Sequence, residues 1–257
     1  MLNYNNNLKT KPKNNNTVEK ILLKIYTQPY TSFKEFYNSI IPLKIFQTWH
    51  TKDLPDKMLK CVEMLKLTNP NFEHFLFDDN DCREFIKNNF TSNVLNAYDS
   101  LIPGAYRADL WRCCVLYIHG GIYMDIKLNC INGFKLIELT ENNHFVKDRP
   151  KPLSIYNALM VCQKAHPFLL VAINKIVKNV QNKYYGNEPL SPTGPTMLGN
   201  LILNNKIKLN IDLSHYDGGG YIIYKNRFVI STEYPEYNSE RTFKRYDVLW
   251  NERNVYK

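Results

Sequence analysis

Residues 103–128 read Pro103-Gly104-Ala105-Tyr106-Arg107-Ala108-Asp109-Leu110-Trp111-Arg112-Cys113-Cys114-Val115-Leu116-Tyr117-Ile118-His119-Gly120-Gly121-Ile122-Tyr123-Met124-Asp125-Ile126-Lys127-Leu128. From Ala105 to Ile118 the apolar residues fall almost all round a helical wheel, which predicts a helix buried on most sides. Gly120-Gly121 then supplies a positive-φ stop, and Ile122 to Leu128 reads as a strand. Side chains alternate along a strand, so Tyr123, Asp125 and Lys127 should share one side, with Ile122, Met124 and Ile126 on the other. Arg107, Asp109 and Arg112 stand out in so apolar a helix, because burying an unpaired charge costs several kcal/mol or more. Asp109 and Arg112 are three apart and share a helix face, where they either pair as a structural ion pair or both reach a ligand. A carboxylate and an ammonium near the end of the next strand fit the rule that α/β ligand sites lie beyond the carboxyl ends of strands.

Working outward, Leu43 to Trp49 has the length and β-propensity of a buried first strand. A helix follows with Met58, Cys61, Val62 and Leu65 on its apolar face, ended by Asn69-Pro70. Phe72 to Phe77 alternates as a second strand, and Asp78-Asp79-Asn80-Asp81 offers N-caps for a helix carrying Phe85 and Ile86. Strand, helix, strand, helix is the pattern of an α/β domain. Downstream, Phe168 to Val180 is helical in spacing, Thr193-Gly194-Pro195 is a loop feeding a helix, and Tyr221 to Ile230 is a strand or hairpin after Gly218-Gly219-Gly220.

The chain has 257 residues, 44% of them hydrophobic, enough for one α/β domain over residues 17–257. Residues 1–16, rich in Asn and Lys, read as a disordered or loosely docked leader, and Val18, Ile21, Leu22 and Ile25 place a helical stripe just after it. The formal charge of +9 suits an acidic partner such as a nucleotide diphosphate. Nucleic acid is not expected: no helix-turn-helix, zinc or aromatic-platform signature occurs, and the lysines are dispersed. Six cysteines lack zinc-ligand spacing and read as free thiols, and the histidines show no ligand spacing. With no apolar stretch long enough to span a bilayer and no signal-peptide core, a soluble, cytoplasmic protein is expected.

The run from Pro103 to Arg112, then Leu116-Tyr117, then Gly120 to Asp125 closely resembles the D-x-D sugar-binding region of glycosyltransferase family 32, which includes fungal Golgi mannosyltransferases and, more distantly, the glucosyltransferase domains of large clostridial toxins. Ile45-Phe46-Gln47-Thr48-Trp49 resembles the family's first strand, written I-H-Q-T-W, with Phe46 in place of His. Asn69-Pro70 through Asp79 and Thr193-Gly194-Pro195 also look like family segments, so the likeness spans roughly Ile41 to Leu201. The resemblance implies a GT-A-like (Rossmann-like) domain with a mixed central sheet flanked by helices. It implies retaining transfer of a hexose-type sugar from a nucleotide-diphosphate sugar, a UDP-sugar ahead of GDP-mannose, to a hydroxyl on a glycan, protein or lipid. Position by position, Trp49 would stack near the base, Phe46, Gln47 and Arg107 would complete the donor side, and Asp109 with Arg112 would grip the sugar. Tyr123 would line the ribose side, Asp125 would be the first carboxylate of the D-x-D, and Trp250-Asn251-Glu252 would close over the diphosphate.

One position departs from the family. Lys127 stands where its second Asp stands, giving Asp125-Ile126-Lys127. Paired carboxylates make an oxygen site for Mn²⁺ or Mg²⁺, whereas an ammonium repels such a cation. Three consequences are open: a divalent cation held by Asp125, the diphosphate and Asn251 or Glu252; Lys127 itself neutralising the diphosphate; or a lapsed homologue that binds the nucleotide sugar and transfers poorly. Trp49, Trp250 and Tyr123 also have a plain reading as packing residues, and Asp78, Asp79 and Asp81 as turn and capping groups.

Overall fold

A computed structural model describes residues 24, 26–32, 34–150, 153–216, 219–234, 237 and 243–257. The leader expected over residues 1–16, nearly all of the helical stripe that follows it, and Gly218 lie outside them.

The element order confirms the α/β reading. Strand β1 (Lys44–Thr48) leads into α1 (Asp56–Thr68), β2 (Glu73–Phe77), α2 (Asp79–Asn89), α3 (Ser92–Ser100) and α4 (Gly104–His119). Next come β3 (Gly121–Met124), β4 (Asn129–Cys130), a 3₁₀ turn (Leu136–Leu139), β5 (His144–Pro150) and β6 (Leu153–Cys162). Helices α5 (Pro167–Gln181) and α6 (Pro195–Asn205), strands β7 (Leu213–Tyr216), β8 (Tyr221–Tyr224) and β9 (Arg227–Ser231), and α7 (Tyr246–Asn251) complete the described chain. Helix α1 buries Met58, Cys61, Val62 and Leu65, as its spacing predicts. Helix α2 opens with a capping box in which Asp78 and Asp81 satisfy each other's backbone N–H groups.

The nine described strands form one sheet in the order β2-β1-β3-β6-β5-β7-β8-β9-β4. Strands β1, β2 and β3 are parallel, β6 runs antiparallel to β3 and β5, and β7 is parallel to β5. The alternation continues through β8 and β9, so β1, β2, β3, β5, β7 and β9 all point the same way. Their carboxyl ends form one continuous edge. Phe46, Tyr123, Phe145 and Met160 pack on one sheet face with α3 to α6, while Ile45, Ile122, Val146 and Leu159 pack on the other. Trp111 in α4 is wholly buried against the first face, worth roughly 2–3 kcal/mol over an exposed ring.

The strand read over Ile122 to Leu128 is shorter than expected. It ends at Met124, and the backbone N–H of Leu128 donates to the Asp125 carbonyl (3.0 Å), closing a turn. Asp125 and Lys127 thereby leave the sheet at its carboxyl edge, while Ile126 packs with Met58 and Val62. Gly121 permits this arrangement: at φ 106° its missing Cβ would lie 2.7 Å from the Lys44 carbonyl oxygen of β1. The long strands β5 and β6 and the helix α3 were not anticipated. Their apolar runs are short or interrupted by polar residues such as Asn157.

Candidate active site

Helix α4 ends behind the sheet, so the polar face of its middle turns points across the carboxyl end of β3. Asp109 and Arg112 are only 8% and 5% exposed. They lie 3.4 Å apart, and Arg112 reaches onward to Asp125 Oδ1 at 3.6 Å. One guanidinium thus joins the helix carboxylate to the strand-end carboxylate. Arg112 also donates to the carbonyl oxygens of Asn157 (2.6 Å) and Ala108 (3.2 Å), and its guanidinium lies 4.4 Å from the centre of the Tyr123 ring. Tyr123 donates its hydroxyl to Asp125 Oδ1 at 2.8 Å. Asp109 is held from two further elements: Asn157 Nδ2 of β6 donates to Oδ1 (2.9 Å), and Thr193 Oγ1, just before α6, donates to Oδ2 (2.6 Å).

These charges border two adjoining cavities. One, of about 290 Å³, is lined by Asp109, Arg112, Asp125, Lys127, Tyr156 and Asn157 among others. Its neighbour, of about 140 Å³, shares Arg112, Asp125 and Lys127 and extends to Trp49, His50, Asp79 and Tyr98. Phe243 and Tyr237 border both. The Trp49 indole N–H is buried without an acceptor. The Lys127 ammonium sits 3.9 Å from Asp125 Oδ2, 3.6 Å from Glu233 Oε1 and 4.8 Å from the centre of the Tyr237 ring.

Burial disfavours the Arg112 charge, but Tyr123, Asp125 and Asp109 more than compensate, so its pKa lies above the ordinary arginine value. For Asp109 burial dominates and raises the pKa, with Arg112, Thr193 and Asn157 pulling it back. Arg112 therefore stays a cation inside the protein. Burial also lifts Asp79 above its usual range, partly offset by Arg107, which pairs with it at 2.6 Å.

The structure gathers Trp49, Asp109, Arg112, Tyr123, Asp125 and Lys127 around this space and leaves other expected residues out. Phe46 is buried in the core, stacked between Phe75 and His119, because its strand position points into the apolar face. Gln47 is fully buried and bonds His74 of β2 at 2.7 Å. Arg107 lines neither cavity and acts there through Asp79. Trp250 donates to the Tyr185 carbonyl (2.8 Å) and packs under Arg253, while Glu252 pairs with Lys244 and Asn251 is exposed. None of these three lines the cleft, because α7 packs its apolar side on α4 and turns its polar end outward. Asn157, Thr193, Asp79 and His50 were not anticipated as site residues. Asn157 had a usable signal, an amide inside the otherwise apolar run Ile155 to Val161.

Residues 55–146 match the family described as glycosyltransferase sugar-binding region containing DXD motif. The chain is 32% identical over 162 residues to inositol phosphoceramide mannosyltransferase 3 of Schizosaccharomyces pombe, covering 63% of this chain and 44% of that protein. It is 26% identical over 233 residues to the initiation-specific alpha-1,6-mannosyltransferase of Candida albicans, covering 76% and 59%. The chain thus spans about half the length of the curated relatives it matches. Among solved structures it superposes on PaToxG glycosyltransferase with a TM-score of 0.50 at 15% identity, covering 74% of this chain and 77% of that one, a likeness of fold. No helix among the described residues is long and apolar enough to cross a membrane. In sequence and in its GT-A-like fold the chain is therefore similar to the DXD glycosyltransferases of family 32, the match to that family's sugar-binding region lying over residues 55–146.

Proposed function

We propose that the protein transfers a hexose from a nucleotide-diphosphate sugar to a hydroxyl acceptor, with retention of configuration, in the cleft at the carboxyl edge of the sheet. The observation that carries this reading is the single chain of contacts Asp109–Arg112–Asp125, set between two adjoining cavities in the matched region. The aromatic cavity around Trp49 and His50 suits a nucleoside base. The larger cavity, with Asp109 and Asn157 in its wall, suits a sugar ring whose hydroxyls need fixed acceptors and donors. The diphosphate then falls between them, against Arg112 and Lys127.

In the transfer, the bond between the anomeric carbon and the phosphate oxygen breaks with its electron pair going to the diphosphate. The acceptor oxygen forms the new bond to that carbon, and the acceptor proton passes to the departing phosphate. Negative charge grows on the leaving group, so cations fixed beforehand at that point lower the barrier most. Both Asp109 oxygens already accept hydrogen bonds, which suits holding a sugar better than attacking it and favours attack by the acceptor on the face the diphosphate leaves.

The residues present do not fit a divalent cation. At the D-x-D position only Asp125 supplies a carboxylate, its Oδ1 accepts from Tyr123, and the Lys127 ammonium stands 3.9 Å from its Oδ2. Among the described residues no three His, Cys, Asp or Glu side chains converge as ligands. Charge neutralisation is therefore assigned to Lys127 and Arg112, a fixed point charge and a fork that both bind phosphate oxygens well. Relatives named as mannosyltransferases bring mannose forward as the donor sugar, beside the hexoses of uridine nucleotides.

A thermal-shift panel of UDP, GDP and their glucose and mannose conjugates, each in chelator and in Mn²⁺, tests the reading. One conjugate should raise the melting temperature by several degrees, equally in chelator and Mn²⁺. No shift with any nucleotide would remove the donor site.

A further inference from the structure

A third cavity, of about 410 Å³, continues the carboxyl edge of the sheet beyond Lys127. It meets the larger donor-side cavity at two shared residues, Lys127 and Tyr156. Its walls come from β6 and β7 and from the segments flanking β8 and β9: Tyr156, His215, the Gly219–Gly220 backbone, Thr232 and Glu233.

Its polar groups are mounted on rigid supports. His215 Nδ1 lies 2.9 Å from Asp148 Oδ1, both side chains are at least 86% buried, and Ser154 Oγ donates to the other Asp148 oxygen at 2.9 Å. The His215 ring stacks on Tyr156 with centroids 4.1 Å apart and planes within 15°. Tyr156 in turn hydrogen-bonds Thr232, whose backbone N–H donates to the Gly220 carbonyl at 2.8 Å. Nothing in the handling of a nucleotide diphosphate calls for this arrangement, and Glu233 with Asp148 nearby would repel one. What the lining offers is a carboxylate, an imidazole, a hydroxyl, peptide groups and an aromatic surface, the mixture that recognises several neutral hydroxyls at once.

Resting on the transferase reading above, we propose that the cavity between His215 and Glu233 is the acceptor subsite, and that it takes a neutral polyhydroxylated group, a sugar or cyclic polyol. The shared wall at Tyr156 and Lys127 delivers one acceptor hydroxyl to the anomeric carbon of the donor. Glu233 supplies the carboxylate that holds the polyol. His215 is a positioning and binding residue, not the base, since the departing phosphate takes the proton.

The test uses the full chain with a nucleotide sugar selected by the thermal-shift panel, and methyl α-mannopyranoside and myo-inositol as polyol probes. Donor consumption and glycosylated polyol are followed separately for wild type, His215→Ala and Glu233→Gln. Glu233 is 45% exposed, so its variant tests the site even where His215→Ala folds poorly. Wild type should glycosylate at least one probe, and each variant should raise the KM for that probe about tenfold or more while the donor KM moves less than about threefold. A polyol KM unchanged in both variants, donor and polyol KM rising in parallel, or donor consumption with no polyol product overturns the subsite alone. Wild type that consumes no donor, with or without polyol, overturns the transferase reading and the subsite together.

Discussion

At the scale of single residues, a few charges sit where burial makes them expensive unless they meet partners. Arg112 has such partners in Asp109, Asp125 and the Asn157 carbonyl, so its charge persists inside the protein. Lys127 is the residue whose role is easiest to isolate. Wild type should keep its turnover in chelator, Lys127→Met should lose roughly a hundredfold in kcat, and Lys127→Asp should work only with added Mn²⁺. A wild type that is inert in chelator and rescued by Mn²⁺ would refute the ammonium's role. Asp109, Arg112 and Asp125 were legible because a charge in an apolar helix or at a strand end announces itself against its neighbours. Thr193 and Asp79 were not, since each reads locally as a loop or cap residue and gains its partner only through tertiary contact. Trp250, Asn251 and Glu252 show the converse: the family resemblance implied a donor contact, but packing on Tyr185 and pairing with Lys244 hold two of them elsewhere.

At the scale of elements, the first strands and helices were readable because their apolar periodicity is complete within each segment, as in α1 with Met58, Cys61, Val62 and Leu65. Strands β5 and β6 were not, because β6 carries Tyr156 and Asn157 into the site and so breaks the alternation that marks a strand. The pairing of β1 with β2 carries a titratable contact. His74 Nε2 donates a hydrogen bond to Gln47 Oε1 at 2.7 Å, and burial, with a smaller contribution from Lys66, pushes its pKa down to about 4. The unfolded chain binds a proton at His74 below its ordinary pKa near 6.5, while the folded chain resists until about 4. Stability should therefore fall as pH drops through that window, by up to about 2 kcal/mol at pH 5. Urea melts at pH 7 and pH 5 should show this loss in wild type and a smaller one in His74→Gln. Equal losses in both would contradict the assignment.

At the scale of the whole molecule, six strands directed alike give the sheet one continuous carboxyl edge, and the cavities follow it from Trp49 past Asp125 and Lys127 to His215 and Glu233. Base, diphosphate, sugar and acceptor can then lie in sequence along a single edge, each against side chains supplied by a different strand or the helix behind it. The proposed function requires Asp109 and Asp125 to serve one donor site. Its most direct test is nucleotide-sugar turnover by wild type, Asp109→Asn and Asp125→Asn, with melting temperatures recorded for all three. Both variants should lose about a hundredfold or more in kcat/KM while staying folded at the assay temperature; turnover within about threefold of wild type in both would contradict the account.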